Sequence, residues 1–64
     1  MKCIVDYRKK DQTIVRIEIS GATSKIDAIQ KAERKIKKLY SDYREYERFA
    51  ACQLIDGKPV ILNR

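Results

Sequence analysis

The sequence predicts an α+β fold in which one helix packs on one face of a four-stranded antiparallel sheet. Three observations predict it: alternating apolar residues near the N-terminus, a long helical periodicity in the middle, and an Asp-Gly pair between two apolar runs. The 64 residues suffice for one small hydrophobic core and no second one. We therefore expect residues 1–64 to form a single domain with the element order ββαββ.

A β-hairpin is predicted at the N-terminus. Residues 2–7 form the first predicted strand, with alternate side chains on opposite faces. In residues 13–19, positions 15, 17 and 19 are valine or isoleucine and the residues between them are charged. A period of two with β-branched residues is typical of a half-buried strand. The polar residues 8–12 turn the chain between the two strands.

A helix is predicted from about Ser24 to Leu39. The Ser24 hydroxyl can cap the first turn, and Asp27 follows at the spacing of a capping box. Apolar residues then recur every three or four positions, which predicts one buried stripe. The stripe contains Ile26, Ile29, Ala32, Ile36, Leu39, Tyr40 and Tyr43. Two helix ends are compatible with this pattern: a break at residues 41–42, or continuation to about Tyr46.

A second hairpin is predicted at the C-terminus, with strands Phe49–Ile55 and Val60–Leu62. The pair Asp56-Gly57 between them suits a two-residue turn in which both residues have positive φ. In that register the backbone nitrogen of Pro59 points away from the third strand, so the fourth strand must be an edge. If the first strand lies between the second and third, the spatial order is 2-1-3-4 with every neighbour antiparallel.

The charge of the chain favours an anionic partner. Fifteen Lys and Arg residues oppose nine Asp and Glu residues, which gives a net charge of +6. Such an excess favours nucleic acid or an acidic protein. At about 100° per residue, four helix cations share one sector roughly opposite the apolar stripe. They are Lys31, Arg34, Lys35 and Lys38.

We expect this ridge of four cations to bind nucleic acid or a nucleic-acid enzyme, because each neutralised phosphate releases counterions. The alternative is an ordinary solvated helix face, which is also commonly rich in lysine. Arg44, Arg48 and the tyrosines add potential stacking chemistry. Tyr40 and Tyr43, however, lie on the apolar stripe, which favours positions in the core.

The sheet face that the helix does not cover predicts a second kind of partner. Ile4 and Ile14 point to that face, and Pro59 marks the edge strand. Apolar residues there favour a homodimer or a docking surface for a host protein. Isolated isoleucines are also ordinary on protein surfaces. A protein-interaction module is therefore the alternative to nucleic-acid binding.

Several function classes are disfavoured. The chain has no histidine, so it lacks a Ser-His or Cys-His nucleophile pair. Its two cysteines, Cys3 and Cys52, cannot complete a zinc site. The segment 21–25 lacks the spacing of a phosphate-binding loop and is interpreted as a capped turn. We expect a non-enzymatic protein without cofactor, metal or small-molecule substrate.

We also expect a cytoplasmic protein with both thiols reduced and no membrane partner. No apolar run approaches the roughly 18 residues of a membrane span, and the N-terminus lacks the apolar segment of a secretory signal. In the predicted strand order, Cys3 and Cys52 lie on adjacent strands, where each is most simply a small buried hydrophobe.

The stretch from Ile14 to about Leu54 resembles small proteins of phages and mobile elements in its element order. The resemblance is carried by Ile17 and Ile19 of the hairpin, the Ala22-Thr23 entry, and Ala28 and Ala32 of the helix. It is to the phage inhibitor of bacterial RNA polymerase and to the N-terminal part of HicB-type antitoxins. It implies an accessory protein that binds a larger macromolecule. It carries over no site residue.

Overall fold

The computed structural model of the chain, which describes residues 1–61, confirms the predicted α+β fold. The sheet has the order β2-β1-β3-β4, and all neighbouring strands are antiparallel. Leu62, the predicted last residue of the fourth strand, lies outside the described residues. The elements are β1 (Lys2–Arg8), β2 (Ile14–Ile19), α1 (Lys25–Leu39), a 3₁₀ turn (Tyr43–Glu45), β3 (Glu47–Ile55) and β4 (Lys58–Ile61).

The first hairpin supplies most of the core. Val5 pairs with Ile17 and Tyr7 pairs with Val15, and all four side chains are buried. Paired residues of neighbouring strands project to the same face of a sheet. These pairs therefore form the face that α1 covers, and the charged residues between them point to the opposite face.

The helix begins and ends where short-range hydrogen bonds satisfy its terminal backbone groups. The Ser24 hydroxyl accepts from the Asp27 amide at 3.1 Å, and the Asp27 carboxylate accepts from the Thr23 amide at 3.0 Å. At the other end, Tyr40 adopts an extended conformation while its amide donates to the Ile36 carbonyl. The helix therefore stops at Leu39, the earlier of the two predicted ends.

The helix lies over β1 and β2 and leaves β3 and β4 largely uncovered. Its buried residues are Ala28, Ala32 and Ile36, and the two alanines let it approach the sheet closely. The predicted stripe was wrong for Ile26, which is 67% exposed, because it lies about 120° around the helix from Ala32. Leu39, the last helical residue, is also exposed.

The second hairpin has the predicted turn. Asp56 and Gly57 both have positive φ, at 51° and 75°, and Leu54 pairs with Pro59. Strand β4 is an edge of the sheet, as the proline predicts. On β3 the pairing with β1 shifts by one residue, which leaves Phe49 without a partner on β1.

The buried core contains no residue of β3 or β4. Side chains on these two strands are half-buried or exposed on both faces of the sheet. The core consists of Cys3, Val5, Tyr7, Val15, Ile17, Ile19, Ala22, Ala28, Ala32 and Ile36.

The two cysteines lie on adjacent strands, as predicted, but on opposite faces. Cys3 is fully buried beneath the helix, whereas Cys52 pairs with Ile4 on the uncovered face. Both thiols are free.

Candidate nucleic-acid interface

The four helix cations do not form one free ridge. The Lys35 ammonium donates to the backbone carbonyl of Glu18 at 3.1 Å. The Lys31 ammonium contacts the Asp27 carboxylate at 3.1 Å and the Gly21 carbonyl at 3.4 Å. The expectation that the ridge lies opposite the apolar stripe is therefore corrected. Lys35 is only about 60° from the centre of the buried face, so its side chain reaches the edge of β2.

Arg34 and Lys38 are the two members of the ridge that remain available. Both side chains are exposed, and neither makes an ion pair within residues 1–61. Arg34 lies farther around the helix than Lys35 and lines a groove on the other flank of α1. The structure thus divides the predicted ridge into two tethered cations and two available ones.

The groove has a volume of about 540 Å³ and separates α1 from the 3₁₀ turn and the start of β3. Three cations and one carboxylate line it together with aromatic rings, which gives the wall a net positive charge. We call it the cationic groove. The residues that define it are Tyr7, Glu33, Arg34, Lys37, Tyr43 and Arg48.

Two cations lie close to the Tyr43 ring, which is part of the wall of the groove. The Lys37 ammonium and the Arg44 guanidinium are each 5.7 Å from the ring centroid. Arg44 also donates to the Tyr43 hydroxyl at 3.3 Å, and this hydrogen bond lowers the pKa of the phenol. Cations at this distance are attracted to the ring face, so positive charge is concentrated around a partly exposed aromatic ring.

A weak ion pair spans the groove. Arg48 on β3 and Glu33 on α1 approach to 3.7 Å, and both side chains are well exposed. Exposed pairs of this kind are worth little, about 0–1 kcal/mol, because water screens them. An anionic ligand could therefore take the place of Glu33 beside Arg48 at small cost.

The Tyr7 side chain reaches this groove from the core. The residue is only 4% exposed, and its hydroxyl has no hydrogen-bond partner in the part of the chain that the structure describes. Burial raises the pKa of Tyr7 to about 12, and the negative charge of Glu33 acts in the same direction. Tyr7 therefore stays protonated at neutral pH and keeps one unused donor.

The 3₁₀ turn that carries Tyr43 is anchored to the first hairpin. The Lys9 ammonium lies 2.9 Å from the Asp42 carboxylate and 5.4 Å from the centroid of the Tyr46 ring. Tyr46 in turn packs on Tyr40, with ring centroids 5.5 Å apart. These contacts fix the position of the turn and hence the wall of the groove.

The residues of the alternative prediction, a protein-interaction surface, share the uncovered sheet face. Ile4, Ile14 and Pro59 all project to this face, since each is paired with a residue of the face opposite to the helix. Ile4 and Pro59 belong to one region of it. Ile14 lies toward the other end of β2, beyond the ion pair of Arg16 with Asp6.

Comparison with protein-family models, with curated proteins and with solved structures finds no match. The resemblance to phage polymerase inhibitors and HicB-type antitoxins therefore stays a prediction. Among residues 1–61, no helix has both the length and the apolar character needed to cross a membrane. Within the same residues, no group of three or more potential metal-ligating side chains is found.

Sequence reasoning named the cations of the ridge but not the groove. Lys37 and Arg48 come together there because α1 ends near the start of β3, which is a tertiary relationship. Tyr43 was expected in the core; it does pack against the core, but it is only partly buried. The clustering of tyrosines with arginines in residues 40–48 was the available signal.

Proposed function

We propose that this protein is a non-catalytic binding protein that engages single-stranded nucleic acid through the cationic groove. The observation that carries the proposal is the partly exposed Tyr43 ring, 5.7 Å from both Lys37 and Arg44, at the wall of a positively charged groove. Basic grooves with partly exposed aromatic rings are what sequence-tolerant single-strand binders use.

The groove offers separate groups for the backbone and the bases of a nucleic acid. Arg34, Lys37 and Arg48 would neutralise phosphates, and the Arg48–Glu33 pair is weak enough to open. A base would stack on the Tyr43 ring once Lys37 or Arg44, both exposed, leaves the ring face to contact a phosphate. The buried Tyr7 hydroxyl would donate to an acceptor atom that reaches the groove floor.

A single strand fits these groups better than a duplex does. Two of the four ridge cations donate to backbone carbonyls of this chain, which leaves fewer cations on the convex face of the helix for a duplex. The available cations instead line a concave groove between α1 and β3. Unstacked bases can enter a groove of this kind, whereas bases paired inside a duplex cannot.

The proposal is tested by fluorescence anisotropy with a labelled short oligothymidine at about 50 and 200 mM salt. We expect salt-sensitive binding that falls at least tenfold when Arg34→Glu is combined with Lys37→Glu. The matched control combines Lys25→Glu with Lys58→Glu. It changes the net charge equally but lies outside the groove.

Two results would contradict the proposal. One is the absence of salt-sensitive binding by the wild type. The other is an equal loss in the two double variants, which would show only a response to overall charge. Stronger binding to a duplex of the same length would indicate that the helix ridge, and not the groove, is the binding site.

A further inference from the structure

The β3–β4 hairpin lacks the cover that a hairpin needs. No residue of 47–61 is buried, yet the hairpin carries four large apolar side chains that are 45–74% exposed. Strand β3 is paired with β1, so the hairpin does not lack a strand partner; it lacks a cover for its side chains. The four side chains are Phe49, Ile55, Val60 and Ile61.

Of these four side chains, Ile61 belongs to a continuous apolar surface on the face opposite to the helix, whereas Ile55 and Val60 lie on the helix side. In the observed register, Ile4 pairs with Cys52, Cys52 with Ile61, and Leu54 with Pro59. These five residues come from three adjacent strands and form one apolar patch. We call it the sheet patch.

The charges around the sheet patch argue against an anionic partner and are compatible with a second copy of this chain. The same face carries Lys2, Arg8 and Arg16 and, against them, Asp6, Glu18 and Glu47. Three positive and three negative charges give a net charge of zero, whereas the whole chain carries +6. Nucleic acid or an acidic protein would find no net attraction here. A second copy of this chain would meet no net repulsion here.

We infer that the sheet patch packs against the sheet patch of a second copy, forming a two-fold symmetric dimer. Such an interface is self-complementary, since the same residues contribute from both chains. The sheet patch would be the centre of the contact, because approaching the ~800 Å² per partner that stable interfaces bury requires most of the uncovered side of the molecule, which spans 32 × 20 Å. The inference does not depend on nucleic-acid binding.

The face of the sheet is favoured over its edges because each edge has one backbone group that cannot pair with an added strand. At the β4 edge, Pro59 has no amide proton to donate to an added strand. At the β2 edge, Lys9 and Thr13 form a hydrogen-bonded pair, which directs the backbone of Glu18 outward. The Lys35 ammonium donates a hydrogen bond to the outward-pointing Glu18 carbonyl. Strand addition is disfavoured at both edges.

The test is sedimentation equilibrium of the full chain over a range of concentrations. We expect a mass that rises to twice the 7.5 kDa of one chain. Ile61→Lys should weaken the association at least tenfold, because the ammonium would be buried against apolar groups. Ile61 is 74% exposed in the single chain, so the variant should keep its circular dichroism spectrum.

The matched control is Ile26→Lys, which makes the same substitution at an exposed isoleucine on α1. It should leave the dimer unchanged. A wild type that stays monomeric at all concentrations overturns the inference, as does an equal effect of the two variants. If Ile61→Lys fails to fold, Leu54→Lys tests the same interface and should release monomers.

Discussion

The ammonium of Lys35 on α1 lies 3.1 Å from the backbone carbonyl oxygen of Glu18 on β2. That carbonyl points out of the sheet at its free edge. Lysine side chains at edge strands disfavour pairing with other chains. Lys35 therefore covers an edge strand, although the sequence pattern assigned it to a ligand-binding ridge.

The contact of Lys35 with Glu18 predicts that Lys35 and its neighbour Arg34 contribute differently to binding. Lys35→Ala should change the affinity for oligothymidine less than twofold, because its ammonium is held at the β2 edge. Arg34→Ala removes the same charge from the wall of the groove and should lower the affinity several-fold at low salt. Anisotropy titrations of the two variants make the comparison, and equal losses would contradict the division of the ridge.

The aromatic ring of the groove should contribute through stacking and not through its hydroxyl. Tyr43→Ala should weaken oligothymidine binding by roughly five- to a hundredfold, the range for loss of one base–aromatic stack. Tyr43→Phe keeps the ring and should bind within about threefold of the wild type. Tyr40→Phe, an aromatic change outside the groove lining, serves as the control. A phenylalanine variant as weak as the alanine variant would rule out stacking.

Tyr7 should make stability fall at high pH. Its pKa is about 12 in the folded chain, above the ordinary value of 10.0, so the folded state holds the phenolic proton more tightly. Below pH 10 the phenol is neutral in both states, and the free energy of unfolding does not change with pH through this group. Between pH 10 and 12 the unfolded state loses the proton first, so the free energy of unfolding falls. Urea unfolding at several pH values measures this. Tyr7→Phe should reduce the slope between pH 10 and 12, and an unchanged slope would refute the assignment.

The same substitution should not destabilise the protein at neutral pH. The Tyr7 hydroxyl is buried without a partner in residues 1–61, and an unsatisfied buried group costs about 1–3 kcal/mol. Tyr7→Phe should therefore leave the free energy of unfolding at pH 7 equal or higher. A large loss of stability would show that the hydroxyl has a partner, such as a bound water.

The two thiols should react at very different rates. Cys3 is fully buried and burial raises its pKa, so both the access and the thiolate fraction are low. Cys52 is half-buried on the sheet patch. A chromogenic disulfide reagent should modify one thiol quickly in dilute protein, and Cys52→Ser should abolish that fast phase. In the dimer Cys52 should also become slow, and Ile61→Lys should restore its rate.

Local sequence signals determine most of the backbone fold. Alternation at 13–19 and the Asp56-Gly57 turn predict both hairpins, because a residue's face and the sign of φ are local properties. Pro59 predicts that β4 is an edge, and placing β1 between β2 and β3 then gives the order 2-1-3-4 that the structure confirms. The lateral position of α1 was not predictable, because the helix buries Ala28, which the predicted stripe omitted, and exposes Ile26, which the stripe included.

The candidate site was predicted only in part. The sequence identified Arg34 and its neighbours as cations and predicted an anionic ligand for them, because the charge of a side chain follows from the residue type alone. The sequence could not show that the Lys35 ammonium donates to the Glu18 carbonyl, because this contact depends on where the helix lies on the sheet. The shift in pairing at Phe49 sets the register at the start of β3. A local sequence pattern does not predict this shift either.

The helix covers one face of the sheet and leaves the other uncovered. This arrangement determines how many grooves of a dimer one nucleic-acid strand can reach. The cationic groove lies on the helix side, and the sheet patch lies on the other. Two chains joined back to back would hold their grooves on opposite outer surfaces. One short oligonucleotide could fill only one groove, whereas a long strand would have to loop around the assembly to reach both. Avidity would then grow with the length and flexibility of the strand.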